Sequence, residues 1–265
     1  LLNVIGADAA IDSAREVYWG DGIALASATL SSEIVYPREK VSLTACWHAE
    51  NTMTTDYVFY AHLLDHKFKS FGQRDTFTGL GTYPTSQWQR GDMFCDTYLI
   101  PVQETFALPT IVEVVIGFYD YDSQQQLPAR TVDDISLPKV VVGTVKLIPI
   151  QTVNSHEPQH RTDANFEQGI VLNGYTWSVT EIRPGESIFV NAAWKSSGPL
   201  DSSFTIFAHL LDKNRQLITQ DDGLPREGAY PTTFWGLNET IVDKRTFTIP
   251  EGTTPGPSYL LMGFY

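Results

Sequence analysis

Cysteine, positive charge and long apolar segments are all scarce in this sequence. Its 265 residues include two Cys, and 18 Lys and Arg stand against 31 Asp and Glu, which gives a formal net charge of −13. A chain this acidic repels phosphate backbones and anionic lipid headgroups, which argues against nucleic acid and anionic membranes as partners. No apolar run reaches the roughly eighteen residues of a transmembrane helix, so we expect no membrane insertion by this chain.

The two cysteines leave two interpretations open. Cys46 and Cys95 both lie in segments expected to form strands, so one disulfide is geometrically possible. Two small apolar thiols are the favoured interpretation, because nothing in the pattern requires a bridge.

The two ends of the chain indicate a piece of a longer protein. The sequence starts at Leu1 without an initiator Met or a signal-peptide pattern. It stops at Tyr265, although the matching point of its first half continues. We therefore expect the second half to lack its last strand, unless residues 1–5 supply it.

What the sequence does contain is a long internal repeat. Three short motifs recur at one constant distance of 147 residues. They are Gly-Ile-Ala-Leu at 22–25 (Gly-Ile-Val-Leu at 169–172), Ala-His-Leu-Leu-Asp at 61–65 and 208–212, and Tyr-Pro-Thr-x-x-Trp at 83–88 and 230–235. Solenoid repeats have periods of roughly 20–50 residues, so this longer period predicts two copies of a whole domain.

Alternating apolar and polar residues predict strands in both copies. Residues 41–47 place Val41, Leu43, Ala45 and Trp47 on one face, and residues 188–194 repeat that face. Further strands are expected at 57–64, 94–100, 112–119 and 140–148, and in the second copy at 204–211, 241–249 and 259–265. Short strands between regular turn signals indicate β-sandwiches. We therefore expect an all-β chain of two tandem homologous sandwiches, Ig-like or jelly-roll in type.

The expected domain boundaries follow from the repeat. A first sandwich with an N-terminal extension takes residues 1–150, a linker takes 151–165, and a second, truncated sandwich takes 166–265. The linker segment is polar and shows no periodicity. Residues 7–16 carry the one pattern typical of a short helix.

Repeated His and Asp residues form the first candidate site. His62 and His209 occupy the same position of the two copies, and Asp75 and Asp222 recur as carboxylates that could orient each imidazole for acid–base catalysis. The favoured interpretation is a half-buried His held by an Asp or a backbone carbonyl. Neither copy contains a nucleophile in an elbow such as G-x-S-x-G, so we predict no catalytic residue.

Metal binding is a weaker alternative. His62 and His66 have a ligand-like spacing, and His48 could join them. The second copy has Lys195 and Lys213 at the positions of His48 and His66, so the set is not repeated. We expect no metal and no cofactor.

A glycosidase would need two carboxylates that face one cleft. Asp75 with Asp96, and Asp222 with Asp243, are the pairs that recur in both copies. No pattern in the sequence brings either pair together across a groove.

The motif Gly-x-Tyr-Pro-Thr-x-x-Trp, at residues 81–88 and 228–235, is the strongest signal beyond the strands. Sugars stack on exposed aromatic rings, so Tyr83, Trp88, Tyr230 and Trp235 are candidate glycan-binding residues. The favoured alternative is that both tryptophans plug the ends of their sandwiches, with the two tyrosines more exposed.

Several segments of the second half resemble a known module. They are residues 205–212 (Thr-Ile-Phe-Ala-His-Leu-Leu-Asp), Gln220-x-Asp222, the motif at 228–235, and Pro-Gly-x-x-Tyr-x-x-x-Gly-Phe-Tyr at 255–265. Together they are similar to a repeated module that follows the multi-pass membrane part of some bacterial glycosyltransferases, which resemble protein O-mannosyltransferases. The likeness covers nearly the whole chain, although residues 74–77 replace the usual Asp-x-x-Pro region.

The resemblance implies a noncatalytic, extracytoplasmic accessory module. The chemistry of that family resides in membrane helices and an acidic loop that this chain does not contain. We therefore expect an interaction module of a membrane-anchored, glycosyltransferase-like protein, with a glycan or a protein as its partner. The alternatives are a structural cell-surface spacer or subunit, and a carbohydrate-active enzyme that uses Asp75 and Asp222.

Overall fold

A computed structural model describes residues 17–150 and 157–265 of the chain. The chain divides into two compact units, unit 1 (Leu1–Thr152) and unit 2 (Val153–Tyr265). The expected helix at 7–16 and the expected strand contribution of residues 1–5 lie outside the described residues. Apart from strands, the described residues form 3₁₀ turns of three or four residues, and none of their helices could span a membrane.

Unit 1 is built from eleven described strands. They are β1 (Val17–Trp19), β2 (Ile23–Leu30), β3 (Ile34–Val35), β4 (Lys40–Ala49), β5 (Tyr57–Leu64), β6 (Ser70–Thr76), β7 (Met93–Pro101), β8 (Thr110–Asp120), β9 (Ala129–Thr131), β10 (Ser136–Leu137) and β11 (Val140–Leu147). One sheet has the order β10-β9-β1-β2-β4-β7 and the other β3-β11-β8-β5-β6. The strands expected at 41–47, 57–64, 94–100, 112–119 and 140–148 are confirmed.

Aromatic rings join the two sheets of unit 1 into one core. The predicted inward face of β4 is buried along its whole length, from Val41 to Trp47. The ring centroid of Trp47 lies 5.3 Å from that of Phe59 on β5 and 5.1 Å from that of Phe118 on β8. Edge-on aromatic contacts at this distance add to the free energy gained by burying the rings.

Unit 2 is built from seven described strands. They are β12 (His160–Asn165), β13 (Ile170–Trp177), β14 (Ser187–Ser196), β15 (Ile206–Leu211), β16 (Leu217–Gln220), β17 (Thr240–Thr248) and β18 (Tyr259–Phe264). They form sheets of the order β12-β13-β14-β17 and β16-β15-β18. The ring centroids of Trp194 on β14 and Phe264 on β18 lie 4.8 Å apart, and this contact joins the two sheets.

The linker predicted at 151–165 is wrong for its last six residues. Residues His160–Asn165 form β12, which pairs antiparallel with β13. No strand signal is visible in that segment, because β12 is an edge strand with most of its side chains exposed and therefore carries no apolar alternation.

Cys46 and Cys95 form a disulfide, so the favoured interpretation of two free thiols is wrong. The two residues lie directly opposite each other on β4 and β7. Their side chains point to the outer face of the sheet, where Cys95 is exposed. Alternation alone could not reveal this, because the register between β4 and β7 decides which residues face each other.

Removing the disulfide should destabilise unit 1. We expect the double variant Cys46→Ala/Cys95→Val, which installs the residues found 147 positions later, to lower the free energy of unfolding by about 2–4 kcal/mol. The physical reason is that the bond closes a loop of 49 residues in the unfolded chain. Urea melts with and without dithiothreitol measure the effect. Dithiothreitol should shift the wild type and leave the variant unchanged, whereas equal midpoints for all four samples would contradict the expectation.

Candidate functional site

Residues 81–88 and 228–235, here called the Trp loops, each place a tryptophan side chain in the core of their unit. Trp88 is fully buried and Trp235 is 4% exposed. Each indole N–H donates to the backbone carbonyl of the loop's own tyrosine, from Trp88 to Tyr83 at 3.2 Å and from Trp235 to Tyr230 at 3.1 Å. The two tryptophans therefore offer no exposed ring face to a sugar in this structure, as the plug interpretation expects.

The threonine of each Trp loop ties the loop to the segment that leads into β5 in unit 1 and into β15 in unit 2. The Thr85 hydroxyl accepts the N–H of Tyr57 at 2.9 Å and donates to the carbonyl of Thr55 at 2.7 Å. Thr232 makes the equivalent two bonds at 2.9 and 2.8 Å. Both threonines are completely buried. A buried hydroxyl with both its donor and its acceptor capacity used explains why this position is Thr in both copies.

The tyrosine of each Trp loop is held by a carboxylate nine residues further along. The hydroxyl of Tyr83 donates to Asp92 at 2.6 Å, and that of Tyr230 donates to Glu239 at 2.8 Å. Tyr83 is half-buried, but Tyr230 is 1% exposed. The expectation that Tyr230 is among the more exposed aromatic residues is therefore wrong. The sequence does not show that a carboxylate is placed to accept its hydroxyl hydrogen bond, which is what allows the ring to be buried.

Asp96 and Asp243 also serve the loop that precedes the Trp motif. Asp96 accepts the backbone N–H of Gly79 at 2.7 Å, and Asp243 accepts that of Arg226 at 2.6 Å. Asp243 is completely buried. The contacts of Asp75 and Asp222 are with other residues, so no described contact joins either carboxylate pair proposed for a glycosidase.

His62 and Asp75 meet on the outer face of the second sheet of unit 1. Nε2 of His62 lies 2.9 Å from Oδ1 of Asp75, and the two side chains are 28% and 30% exposed. In unit 2, Nε2 of His209 lies 3.2 Å from Oδ2 of Asp222, with 29% and 23% exposure. The structure thus brings these four predicted residues together as two equivalent, half-exposed pairs.

An aromatic ring lies beside each His–Asp pair, and sequence reasoning missed it. The ring of Tyr60 is centred 4.8 Å from that of His62, and the ring of Phe207 is 5.3 Å from that of His209. A Cβ atom on Gly117 would lie 2.5 Å from the Tyr60 hydroxyl, and one on Gly263 would lie 2.6 Å from the Phe207 ring. Each ring therefore packs over a glycine of the neighbouring strand in its sheet, β8 in unit 1 and β18 in unit 2. Two sequence features could have indicated these rings: an aromatic residue two positions before each His, and a Gly-Phe-Tyr sequence that recurs in both copies.

A second tyrosine completes the group in unit 1. Tyr119 on β8 donates its hydroxyl to Oδ2 of Asp75 at 3.4 Å. Burial first, and then the negative charge of Asp75, raise the pKa of both Tyr60 and Tyr119 above the ordinary value. We call residues 60, 62, 75 and 119, and their counterparts 207, 209, 222 and 265, the His–Asp faces. Each presents hydrogen-bonding groups of both kinds beside an aromatic ring.

Two further histidines make contacts elsewhere. Nδ1 of His48 lies 2.9 Å from a carboxylate oxygen of Glu50, and His160 stacks on Tyr175 at 5.0 Å. Within residues 17–150 and 157–265, no three His, Cys, Asp or Glu side chains are placed to hold a metal ion.

No protein-family model matches the chain, and no curated protein matches it. The equivalent positions of the two units are therefore the available comparison for each feature of the site.

Each Trp loop should respond to loss of its tryptophan as a buried core residue does. We expect Trp88→Ala and Trp235→Ala each to lower the free energy of unfolding by about 3–5 kcal/mol, because a large buried ring leaves a cavity. Met93→Ala is the matched control, since Met93 is 71% exposed; it should change stability by no more than about 0.5 kcal/mol. Denaturant melts measure all three variants. Tryptophan variants that melt like Met93→Ala would refute the plug.

The Tyr83–Asp92 contact should make stability depend on pH. The hydrogen bond from Tyr83, and secondly that from the Gln89 N–H, hold the pKa of Asp92 below its usual value. Asp92 therefore contributes stability that is complete above its unfolded pKa and is lost as the pH falls through the lower folded value. We expect Asp92→Asn to be less stable than the wild type at neutral pH, and the gap to close in acid. Urea melts between neutral pH and about pH 3 test this; Asp133→Asn, an exposed control, should show no such gap.

Proposed function

We propose that the chain consists of two tandem homologous β-sandwich domains of Ig-like or jelly-roll type. Support comes first from strand positions: β2, β4 and β7 begin and end 147 residues before β13, β14 and β17. These strands pair in the same order in both units, as do β8-β5-β6 and β18-β15-β16.

Irregularities of pairing support the same proposal. The register between β2 and β4 shifts at Leu25/Ser27, and that between β13 and β14 shifts at Leu172/Gly174, which is the same place in the repeat. The β5–β6 and β15–β16 pairs shift at Leu63/Leu64 and Leu210/Leu211. Bulges are kept within families as built-in features of the sheet, so shared bulges favour common descent over chance likeness.

We infer that the module is noncatalytic and that its two His–Asp faces bind glycans. The recurrence of one half-exposed His–Asp pair beside an aromatic ring, once per unit, carries this proposal. A carboxylate accepts hydrogen bonds from sugar hydroxyls, and an aromatic ring packs against the apolar C–H face of a sugar. The Trp loops are not part of this binding site, because their recurring polar groups hold the fold.

An extracytoplasmic location fits the disulfide. Cys46 and Cys95 are bonded on the outer face of their sheet, and Cys95 is exposed. Disulfides that persist in a folded domain belong to oxidising compartments. We propose that this module belongs to a larger, membrane-anchored, glycosyltransferase-like protein, for which the resemblance of residues 205–212 and 228–235 is the support.

A glycan titration tests the proposed binding faces. Soluble mannose, glucose and N-acetylglucosamine oligosaccharides are titrated into the full chain, with binding followed by calorimetry and by NMR shifts of His62 and His209. We expect two sites per chain. Asp75→Asn should remove one and leave the other, because the loss of charge weakens the hydrogen bonds that a sugar donates to this side chain.

A matched control makes that titration decisive. Asp133→Asn changes an exposed aspartate away from the faces and should keep both sites. Absence of binding to every sugar, or equal behaviour of Asp75→Asn and Asp133→Asn, would favour the structural spacer instead. The same His–Asp contact also favours the enzyme alternative. If the chain turns over glycosides, and this turnover disappears in Asp75→Asn and Asp222→Asn, the proposed function is catalysis and not binding.

A further inference from the structure

A small polar pocket lies on the outer face of the β12-β13-β14-β17 sheet of unit 2. We call it the outer pocket, and its volume is about 260 Å³. Every strand of this sheet contributes to the lining. The lining residues are Arg161 on β12, Asn173 on β13, Ala193 and Lys195 on β14, Thr240 on β17, and Glu157 and Pro158 just before β12. Two of these side chains are cationic, in a chain whose formal net charge is −13.

A glycine lets the segment before β12 close one side of the outer pocket. A Cβ atom on Gly174 would lie 2.5 Å from Cγ of Pro158 and 2.5 Å from the carbonyl oxygen of His160. A residue with a side chain would not allow so close an approach. Pro158 therefore packs against the sheet and forms a wall of the pocket beside Arg161.

A β-bulge places Asn173 in the lining of the outer pocket. The pairing of β13 with β14 passes from Leu172–Trp194 directly to Gly174–Ala193, and the pairing of β13 with β12 also omits Asn173. Asn173 is therefore the extra residue of the bulge. Bulges occur next to functional sites, where they redirect a side chain. The amide of Asn173 adds two N–H donors to the residues of this pocket.

Lys195 is half-buried, and unit 2 supplies no carboxylate for its charge. Among the described residues of unit 2, no ion pair includes Lys195. At the equivalent position of unit 1, Nδ1 of His48 lies 2.9 Å from a carboxylate oxygen of Glu50. Unit 2 has Ser197 in place of Glu50. An anion from outside the chain would supply the partner that this ammonium group lacks.

The outer pocket occupies a place where unit 1 has sulfur-containing side chains. On the equivalent face of unit 1 lie Cys46, which is bonded to Cys95, and the exposed Met93. The residues found 147 positions after Cys46 and Met93 are Ala193 and Thr240. Ala193 is smaller than a bonded cysteine, and Thr240 carries a hydroxyl. Unit 2 therefore has both more room and a further hydrogen-bond donor at this place.

We propose that the outer pocket binds a phosphate group, either as the free ion or carried by a small molecule. Its residues offer a guanidinium, an ammonium, an amide and a hydroxyl from four different strands. A phosphate group presents three strong acceptor oxygens to such a set of donors, whereas a carboxylate presents two. Sites that enclose a whole drug-sized ligand have volumes of about 300–1,000 Å³, so this smaller pocket suits a single ionised group.

The outer pocket is separate from the proposed glycan-binding faces. In unit 2 the His209–Asp222 pair lies on the β16-β15-β18 sheet, whereas the pocket lies on the other sheet. The phosphate proposal therefore does not rest on glycan binding.

Glu157 is the one carboxylate among the described lining residues, and it opposes anion binding. Its Oε1 lies 2.7 Å from Nη2 of Arg161, and the Glu157 and Arg161 side chains are 82% and 70% exposed. Exposed ion pairs contribute little to stability. A phosphate can therefore replace this carboxylate at the guanidinium with little loss. Removing the charge of Glu157 should then strengthen phosphate binding.

A titration of the full chain with inorganic phosphate tests the proposal. Calorimetry and the NMR shift of the Asn173 side-chain amide follow the binding. We expect one site with a Kd of about 1 mM, because the net negative charge of the chain opposes anions. Lys195→Met should weaken binding by about tenfold, since it removes a charged hydrogen-bond donor. Glu157→Gln should strengthen binding by about two- to fivefold.

Lys244→Met is the matched control for Lys195→Met. Lys244 is exposed on the same face of the sheet, with its ammonium 4.2 Å from the ring centroid of Phe189, and it does not line the pocket. The control variant removes the same charge from the chain. Because the effect of a distant exposed charge is screened by salt, phosphate binding should stay within about twofold of the wild type.

A short series of ligands identifies the source of the phosphate group. Tighter binding of glucose 6-phosphate than of inorganic phosphate would support a sugar phosphate as the ligand, and equal or weaker binding would support the free ion. Glucuronate, a sugar carboxylate, should bind more weakly than both. The shift of Asn173 reports on the outer pocket, so sugar binding at the His–Asp faces does not confuse the result.

Three results would overturn the proposal. They are an unchanged Asn173 signal up to about 10 mM phosphate, equal weakening of binding in Lys195→Met and Lys244→Met, and tighter binding of glucuronate than of either phosphate.

Discussion

The rest of each unit depends on burying one indole ring between its two sheets. The Trp loop leaves β6 on one sheet and enters β7 on the other, so the buried ring of Trp88 fixes how the sheets close. A buried indole N–H without an acceptor is costly, and the loop turns back so that the carbonyl of Tyr83 receives it. Thr85 and Asp92 then hold the loop in that shape. The Gly-x-Tyr-Pro-Thr-x-x-Trp motif recurs as a block because its Tyr, Thr and Trp side chains each make the equivalent hydrogen bond in unit 2.

Around this shared plug, the two units stabilise the neighbouring core differently. In unit 1, the indole N–H of Trp47 donates to the hydroxyl of Tyr98 at 3.4 Å. In unit 2 the corresponding residue is Arg245, which donates to the buried Asp243 at 2.6 Å. The indole N–H of Trp194 then has no hydrogen-bond partner among the described residues. A buried ion pair is costly to desolvate unless its remaining groups are bonded, and Arg245 meets that need through nearby backbone carbonyls.

The proposed binding residues and the core residues lie on opposite faces of the same strands. Along β5, Phe59 and Ala61 point into the core, while Tyr60 and His62 lie on the outer face. Because successive side chains of a strand point to opposite faces, residues on the outer face can be substituted without disturbing the core. Outer residues that recur in both units are therefore not explained by core packing. We propose binding rather than catalysis at the His–Asp faces, since catalytic groups are usually enclosed in a cleft that excludes water.

The sequence alone determined the all-β class, most of the long strands and the burial of Trp88, because alternation and motif recurrence are local properties. It also singled out His62 and Asp75, but not the ring of Tyr60 beside them. Only the tertiary structure decided the Cys46–Cys95 bond and the pairing of the polar edge strand β12, which depend on strand register. It also decided the burial of Tyr230, which depends on how its loop meets Glu239. Register sets which residues of distant segments face each other, and no local pattern encodes that choice.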